Sequence, residues 1–151
     1  PRITMPIFFF FYIDSPEKAL DYKNKYGIDG IMIGRAAIGY PWIFNEIKHF
    51  LKTGKHLPSP SIEDRVAVCK KHLHKSFEWK GPKVGIFEMR RHYANYLKGL
   101  PNIKEYRNKL VTLKTVEEVD EVLNEIVSVY SGYAFKKTAI ELVNYHEKCA
   151  V

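Results

Sequence analysis

Gly34, Arg35 and Ala36 follow directly on the apolar run from Ile28 to Ile33, and residues of those types in that order suit the holding of a phosphate. A glycine at the end of a strand lets backbone approach a ligand closely, and amides at a helix start point outward with partial positive charge. In barrels of alternating strands and helices, the loops after the last two strands commonly form such a site. The competing reading is a glycine needed only for a tight strand-to-helix turn.

A second chemistry lies in KVGIFEMRRHYANYLKGLP. At about 100° per residue, Lys83, Arg90, Arg91 and Lys98 share one arc of about 100°, while Ile86, Met89, Tyr93, Tyr96 and Leu97 fall in an apolar arc between about 220° and 320°. Such a helix has one face for packing and a cationic face beside it. Cations on a rigid face can neutralise successive phosphates of a folded RNA, with shape and 2′-hydroxyl contacts adding discrimination. Lys104, Arg107 and Lys109 extend the basic surface past the Gly99-Leu100-Pro101 turn. The plain alternative pairs Arg90 or Arg91 with Glu88 or Glu105 in surface bridges worth under about 1 kcal/mol.

Other reactive residue types carry less. Cys69 and Cys149 form no CxxC pair and have no histidine at ligand spacing, so they read as free thiols rather than a disulfide or a zinc site. His72 and His74, two residues apart, cannot share a helix face, which argues against a metal pair and for solvated histidines. His92 has no nameable partner acid and reads as an RNA contact or a core-edge residue rather than a general base. Tyr93 and Tyr96 lie at core spacing rather than as base-stacking residues. Trp42 and Phe44 are expected to anchor their helix in the core.

The elements that must position these groups are punctuated clearly. Asp14 or Ser15 as N-cap, Pro16 in the first turn and Gly27 at the end delimit a helix over about 16–26. The run after it predicts a strand, Ile28 to Ile33, buried on both faces as in a parallel sheet. Pro41 opens another helix that Gly54 closes, and KHLPSPS reads as a connection. Three helical patterns follow. One starts at Ser61, with Asp64 as an approximate capping box, and carries Val66, Cys69, Leu73 and Phe77; one covers about Lys83 to Lys98; one starts at Thr115, with Glu118 completing a capping box, and carries Val116, Val119, Leu123, Ile126 and Tyr130. The tail from Ser131 adds a further helix pattern.

With 151 residues, 46% of them hydrophobic, the chain can bury a real core. Its net charge of +7 is concentrated: residues 61–116 hold thirteen basic and five acidic residues, residues 117–151 three and seven. A basic block followed by an acidic helix suggests a local anionic partner. No run approaches the roughly 20 apolar residues of a membrane span, and PIFFFFYI lacks the flanks of a signal peptide, so the chain reads as cytoplasmic.

DGIMIGRAAIGYPWIF, followed downstream by MRRHYANYLKGLPN, resembles the tRNA-dihydrouridine synthase family, flavoenzymes that reduce uridines in tRNA. The resemblance runs from about Ile13 to Tyr130. It implies the C-terminal part of such an enzyme: the last strand and helices of a TIM-type α/β barrel over residues 1–57, then an all-α helical bundle that binds tRNA over residues 58–151. It further implies FMN held through its phosphate by Gly34 and Arg35, and NAD(P)H as reductant; together with the charge pattern it makes tRNA the partner expected for Lys83, Arg90, Arg91, Lys98 and Arg107, while neither a metal nor an oligomer is expected. Members of the family carry a Gly-Asn-Gly-Asp turn just before the segment that reads IDSPEKA here. Phe9, Phe10, Phe11 and Tyr12 stand in that place, so residues 1–12 are atypical and this loop is not expected to bind FMN as the family does. Cys69 and Cys149 do not match the family's catalytic cysteine, and no catalytic residue is assigned. The alternative is a non-catalytic helical RNA-binding module that uses the barrel remnant as a packing platform.

Overall fold

The computed structural model describes residues 5–9 and 13–135. Phe10, Phe11, Tyr12, Cys149 and most of the tail pattern lie outside the described residues. The elements are β1 Phe8–Phe9, α1 Pro16–Tyr26, β2 Gly30–Ile31, α2 Ile43–Thr53, α3 Ile62–Tyr96, α4 Lys104–Thr112 and α5 Val116–Tyr130. Five helices and a two-stranded ladder make the described chain mostly helical.

β1, α1 and β2 form one parallel crossover, with Phe8 opposite Gly30 and Phe9 opposite Ile31. Ser15 caps α1, its hydroxyl accepting from the Lys18 amide, and Gly27 ends the helix at φ 57°, a left-handed conformation that glycine adopts without penalty. Gly30 lies directly beneath its neighbour across the ladder: a Cβ there would lie 2.4 Å from the exposed Phe8 ring. The strand is shorter than the apolar run predicts and is not buried on both faces, since Ile31 is half-buried and Met32 is 52% exposed. Two-sided burial requires a layer on each side, and the described residues cover β2 from one side, where Ile13, Ala19, Ile43 and Ile47 gather with Ile31 and Ile33.

α2 faces that cluster with Ile43, Glu46 and Ile47, the i, i+3, i+4 stripe of an amphipathic helix. Phe44 sits about 100° off the stripe and is 42% exposed, so it does not anchor the helix as its apolar character suggests. Trp42 is half-buried, its ring tilted against Tyr40 with centroids 5.6 Å apart.

α3 opens with the capping box: the Asp64 amide donates to Ser61 Oγ at 3.1 Å and the Ser61 amide to Asp64 Oδ2 at 3.2 Å. It then folds back on itself at Gly81, whose φ 77° and ψ 173° leave the helical region ahead of Pro82. In an unbroken helix residues 72 and 92 would lie about 30 Å apart. Here the rings of His72 and His92 have centroids 4.9 Å apart. The two limbs therefore run antiparallel, and they meet most closely at Gly85, where a Cβ would come within 2.5 Å of the Ser76 carbonyl oxygen. That approach fits the small Ser76, which donates to the Gly85 carbonyl at 3.1 Å. Phe77, expected in the core with Val66, Cys69 and Leu73, is turned outward and 39% exposed, while the other three are buried.

α4 has no counterpart among the expected helices. α5 begins as expected at Thr115 with its Glu118 box and lies along α3, burying Val116, Val119, Val122, Leu123 and Ile126 in a core shared with Leu73, Met89, Tyr93 and Leu110.

Candidate phosphate turn and basic helical face

Gly34 leads into a single 3-10 turn, Arg35–Ala37, with α2 starting six residues later at Ile43. The turn is closed by the Ala37 amide on the Gly34 carbonyl at 3.0 Å and the Ile38 amide on the Arg35 carbonyl at 3.1 Å. The element after Gly34 is thus shorter than the helix expected there, and three aligned peptides supply little macrodipole. What remains suitable for an anion is local: opening amides with no partner inside the turn, an exposed Arg35, and open space at Gly34, where a Cβ would meet nothing within 4 Å.

The cations of the second limb of α3 divide into two groups. Arg90 is half-buried, donates to the Leu113 carbonyl at 3.2 Å and lies over the Phe87 ring at 4.3 Å. Arg107 from α4 is likewise half-buried and donates to the Ala94 carbonyl at 2.9 Å. Each ties one segment of the bundle to another, and in both the Nε–H is buried without a partner, so only the terminal N–H groups can reach a ligand. Lys83, Arg91 and Lys98 are exposed. Arg91 is held loosely, 3.9 Å from Glu88, and its Nε donates to His92 Nε2 at 3.3 Å. At that distance and exposure the Glu88 contact is weak, which leaves the charge available to a stronger anion.

α5 supplies part of the anionic partner that the charge distribution calls for. Asp120 lies 2.8 Å from His74 and 3.9 Å from Lys70, and Glu125 accepts from Lys109 at 3.3 Å and Tyr106 at 3.0 Å. His74 is therefore paired rather than simply solvated. His72 is half-buried against the Tyr96 hydroxyl at 3.2 Å. Burial holds its pKa below the ordinary value, aided by Lys80, and His92 is lowered by burial and by His72 itself. Tyr93 and Tyr96 are buried, as their spacing predicts. Among the described residues no group of three or more His, Cys, Asp and Glu side chains is placed to hold a metal, and no helix is long and apolar enough to cross a membrane.

The two halves meet at a joint that residue patterns did not reveal. Arg65 is 7% exposed, donates to the Lys98 carbonyl at 3.0 Å, and lies over the rings of Phe135 at 3.5 Å and Tyr40 at 5.3 Å. The Tyr40 hydroxyl in turn donates at 2.8 Å to Glu46, which is 7% exposed. Burial lowers the Arg65 pKa, opposed by Tyr40 and Glu46; burial and the bond to Glu46 raise that of Tyr40. Beside them Gly39, at φ 72°, presses on the second limb of α3, where a Cβ would fall 2.6 Å from Asn95 Cβ. The only sequence signal is a charge inside the apolar stripe of Ile62, Val66 and Cys69.

Residues 3–131 match the family described as dihydrouridine synthase. Relatives include tRNA-dihydrouridine synthase B of Pseudomonas putida, 38% identical over 115 residues that make up 76% of this chain and 34% of that protein. A probable tRNA-dihydrouridine synthase 1 of Synechocystis is 32% identical over 126 residues, 83% of this chain and 35% of its own length. A probable tRNA-dihydrouridine synthase of Rickettsia bellii is 34% identical over 115 residues, 76% of this chain and 34% of its own length. The chain spans about a third of the length of these relatives.

Proposed function

The chain belongs to the dihydrouridine synthase family, and from that premise we propose that it serves tRNA-dihydrouridine formation, with residues 58–151 as a tRNA-binding helical domain and residues 1–57 as the closing part of a TIM-type flavin barrel. The observation that carries this reading is the exposure of Lys83, Arg91 and Lys98 on one face of a rigid helical hairpin, within a segment whose cations outnumber its carboxylates thirteen to five. Those side chains meet successive phosphates, while Arg90 and Arg107 fix the limbs and loops that hold the face in shape and offer their outer N–H groups.

The open space at Gly34 and the exposed Arg35 fit one end of an FMN phosphate, and these two residues would hold it. FMN, reduced by NAD(P)H, supplies the hydride for the uracil ring when bound. The residues of this chain bind and orient: Gly34 admits the phosphate, Arg35 adds charge, and the Arg65–Tyr40–Glu46 joint keeps the turn in register with the tRNA face. The protein works as a monomer in the cytoplasm, where tRNA is found.

Titration with tRNA across a salt series tests the reading. The purified chain is expected to bind with an affinity that falls steeply with salt, and the double variant Lys83→Glu/Arg91→Glu to bind more weakly with a log–log salt slope shallower by about 1 to 2. Unchanged affinity in that variant refutes the assignment of the face. A parallel titration with FMN is expected to show no saturable binding by this chain alone, because Phe9, Phe10, Phe11 and Tyr12 stand where the family resemblance implies a glycine-rich turn. Tight saturable binding would overturn that account.

A further inference from the structure

The closed end of the α3 hairpin carries an arrangement that neither the phosphate turn nor the basic face uses. Trp79 is 81% exposed, and Phe77, Val84 and Phe87, on either side of Gly81, are 39%, 52% and 53% exposed. Burying a side chain of that size stabilises a fold by about 1.5–3 kcal/mol, so an indole left in water on an ordered helix forgoes that gain. The surrounding charge is predominantly positive. Residues 70–91 hold seven lysines and arginines and two carboxylates. Both carboxylates are already engaged, Glu78 by Lys75 at 2.7 Å and Glu88 by Lys80. Lys83, two residues past the turn, has no ion-pair partner among the described residues.

We propose that this tip is a stacking platform for unpaired bases of a bound RNA, with Trp79 as the side chain on which a base lies and the flanking lysines on the adjoining phosphates. The inference rests on the tRNA reading above and deepens it by naming a base-contacting residue. Aromatic faces accept any base, and interleaved cations track the backbone between them. The tip is continuous along α3 with the exposed Arg91 and, just past the helix end, the exposed Lys98, so one RNA can meet both. It is also stiff: the near contact of Gly85 with the Ser76 backbone and the bond from Ser76 to the Gly85 carbonyl lock the limbs together, so little order has to be imposed on binding. A protein partner with a matching acidic groove, a lipid surface or a second copy of the chain would also cover an indole. The positive surround and its continuity with the phosphate-binding face favour RNA.

Trp42 and Trp79 are the two tryptophans of the chain, which gives a direct reading. In a Trp42→Phe background Trp79 is the sole indole emitter. An unstructured RNA oligonucleotide and tRNA are each expected to quench it, whereas heparin, which offers charge without bases, is expected to bind without quenching. Trp79→Ala is expected to weaken tRNA binding roughly tenfold with its salt slope unchanged, and Trp79→Phe to restore most of the loss. A tRNA complex with unquenched Trp79 and full affinity in Trp79→Ala overturns the platform and leaves the basic face standing. Quenching by heparin, by anionic vesicles in place of RNA, or by self-association of the free chain overturns it as well. Absence of any tRNA binding overturns both this inference and the reading it rests on.

Discussion

The segment from Ile13 to Leu51 and the segment from Ile62 to Ile126 are both built largely of amphipathic helices, yet they bury very different shares of themselves. Four buried hydrophobic residues centre the first, Ile13, Ala19, Ile43 and Ile47, against seventeen in the second. The first also leaves Met32, Ile38 and Phe44 substantially exposed beside its short ladder. In the second, the exposed aromatic residues Phe77, Trp79 and Phe87 gather at the hairpin tip. The helical segment thus closes on itself, while the strand-bearing segment depends on adhesion through Gly39 and the Arg65–Tyr40–Glu46 joint. A phosphate turn on a weakly buried segment is held in place largely by what that segment leans on.

The largest expected effect comes from cutting into the self-closing core. Leu123→Ala, at a fully buried position, should cost about 3 kcal/mol in urea unfolding, whereas Ile47→Ala should weaken amide protection within residues 13–53 and leave that of α3 and α5 nearly intact. Equal loss of protection in both segments after either change would break the contrast, since it would mean one cooperative unit. Next in size is the joint. Arg65→Met removes the bond to the Lys98 carbonyl and the cation beside Glu46, and should cost about 1–3 kcal/mol. Paired with Tyr40→Phe in a double-mutant cycle it should show a coupling of about 1 kcal/mol, and zero coupling would mean that the halves do not share this contact.

The smallest effect is acid sensitivity confined to the helical segment. His72 and His92 titrate below the ordinary histidine value of 6.5 in the folded chain, lowered chiefly by burial, with Lys80 and Arg91 adding to the lowering and Glu88 opposing it. The unfolded chain therefore binds more protons than the folded one on acidification, so stability holds above about pH 6.5 and falls as pH drops through that value. Chemical denaturation as a function of pH should show this fall in the unmodified chain and a shallower one in His72→Gln; identical profiles would remove the pair as the cause.

Local chemistry was the part of this fold that could be read in advance. Ser15 with Pro16, Gly27, Gly54, Ser61 with Asp64 and Thr115 with Glu118 mark helix ends through bonds made within four residues, and the reversal near Gly81 shows as two helical patterns separated by a glycine and a proline. α4 leaves no signal in the sequence, since Leu110 is its one buried residue and no side chain caps its start, so it has neither period nor punctuation. The pairing of the acidic helix with the basic limb was hidden by distance, His74 and Asp120 being 46 residues apart. Of the cations assigned to RNA, Arg90 falls about 20° from Leu97 on the helical wheel. Its half-burial follows from lying at the edge of the apolar arc, a boundary that angles mark but do not resolve. The exposure of Trp79 is not legible in the sequence, because an apolar residue near a turn gives no hint of which way it faces until the limbs are paired.

The reversal at Gly81 also bears on the order in which the chain assembles. Ser76 and Gly85 are nine residues apart and Lys80 and Glu88 eight, so the contacts at the tip close small loops, and the entropy of closure rises with the logarithm of loop length. The limbs can zip toward the Arg65–Lys98 contact, 33 residues apart, each turn shortening the loop that the next must close. The contacts of α5 close much longer loops, His74 and Asp120 being 46 residues apart, so α5 is expected to join last. Contacts of this low order favour rapid folding, and during synthesis the hairpin can be complete while the helix that covers it is still being made.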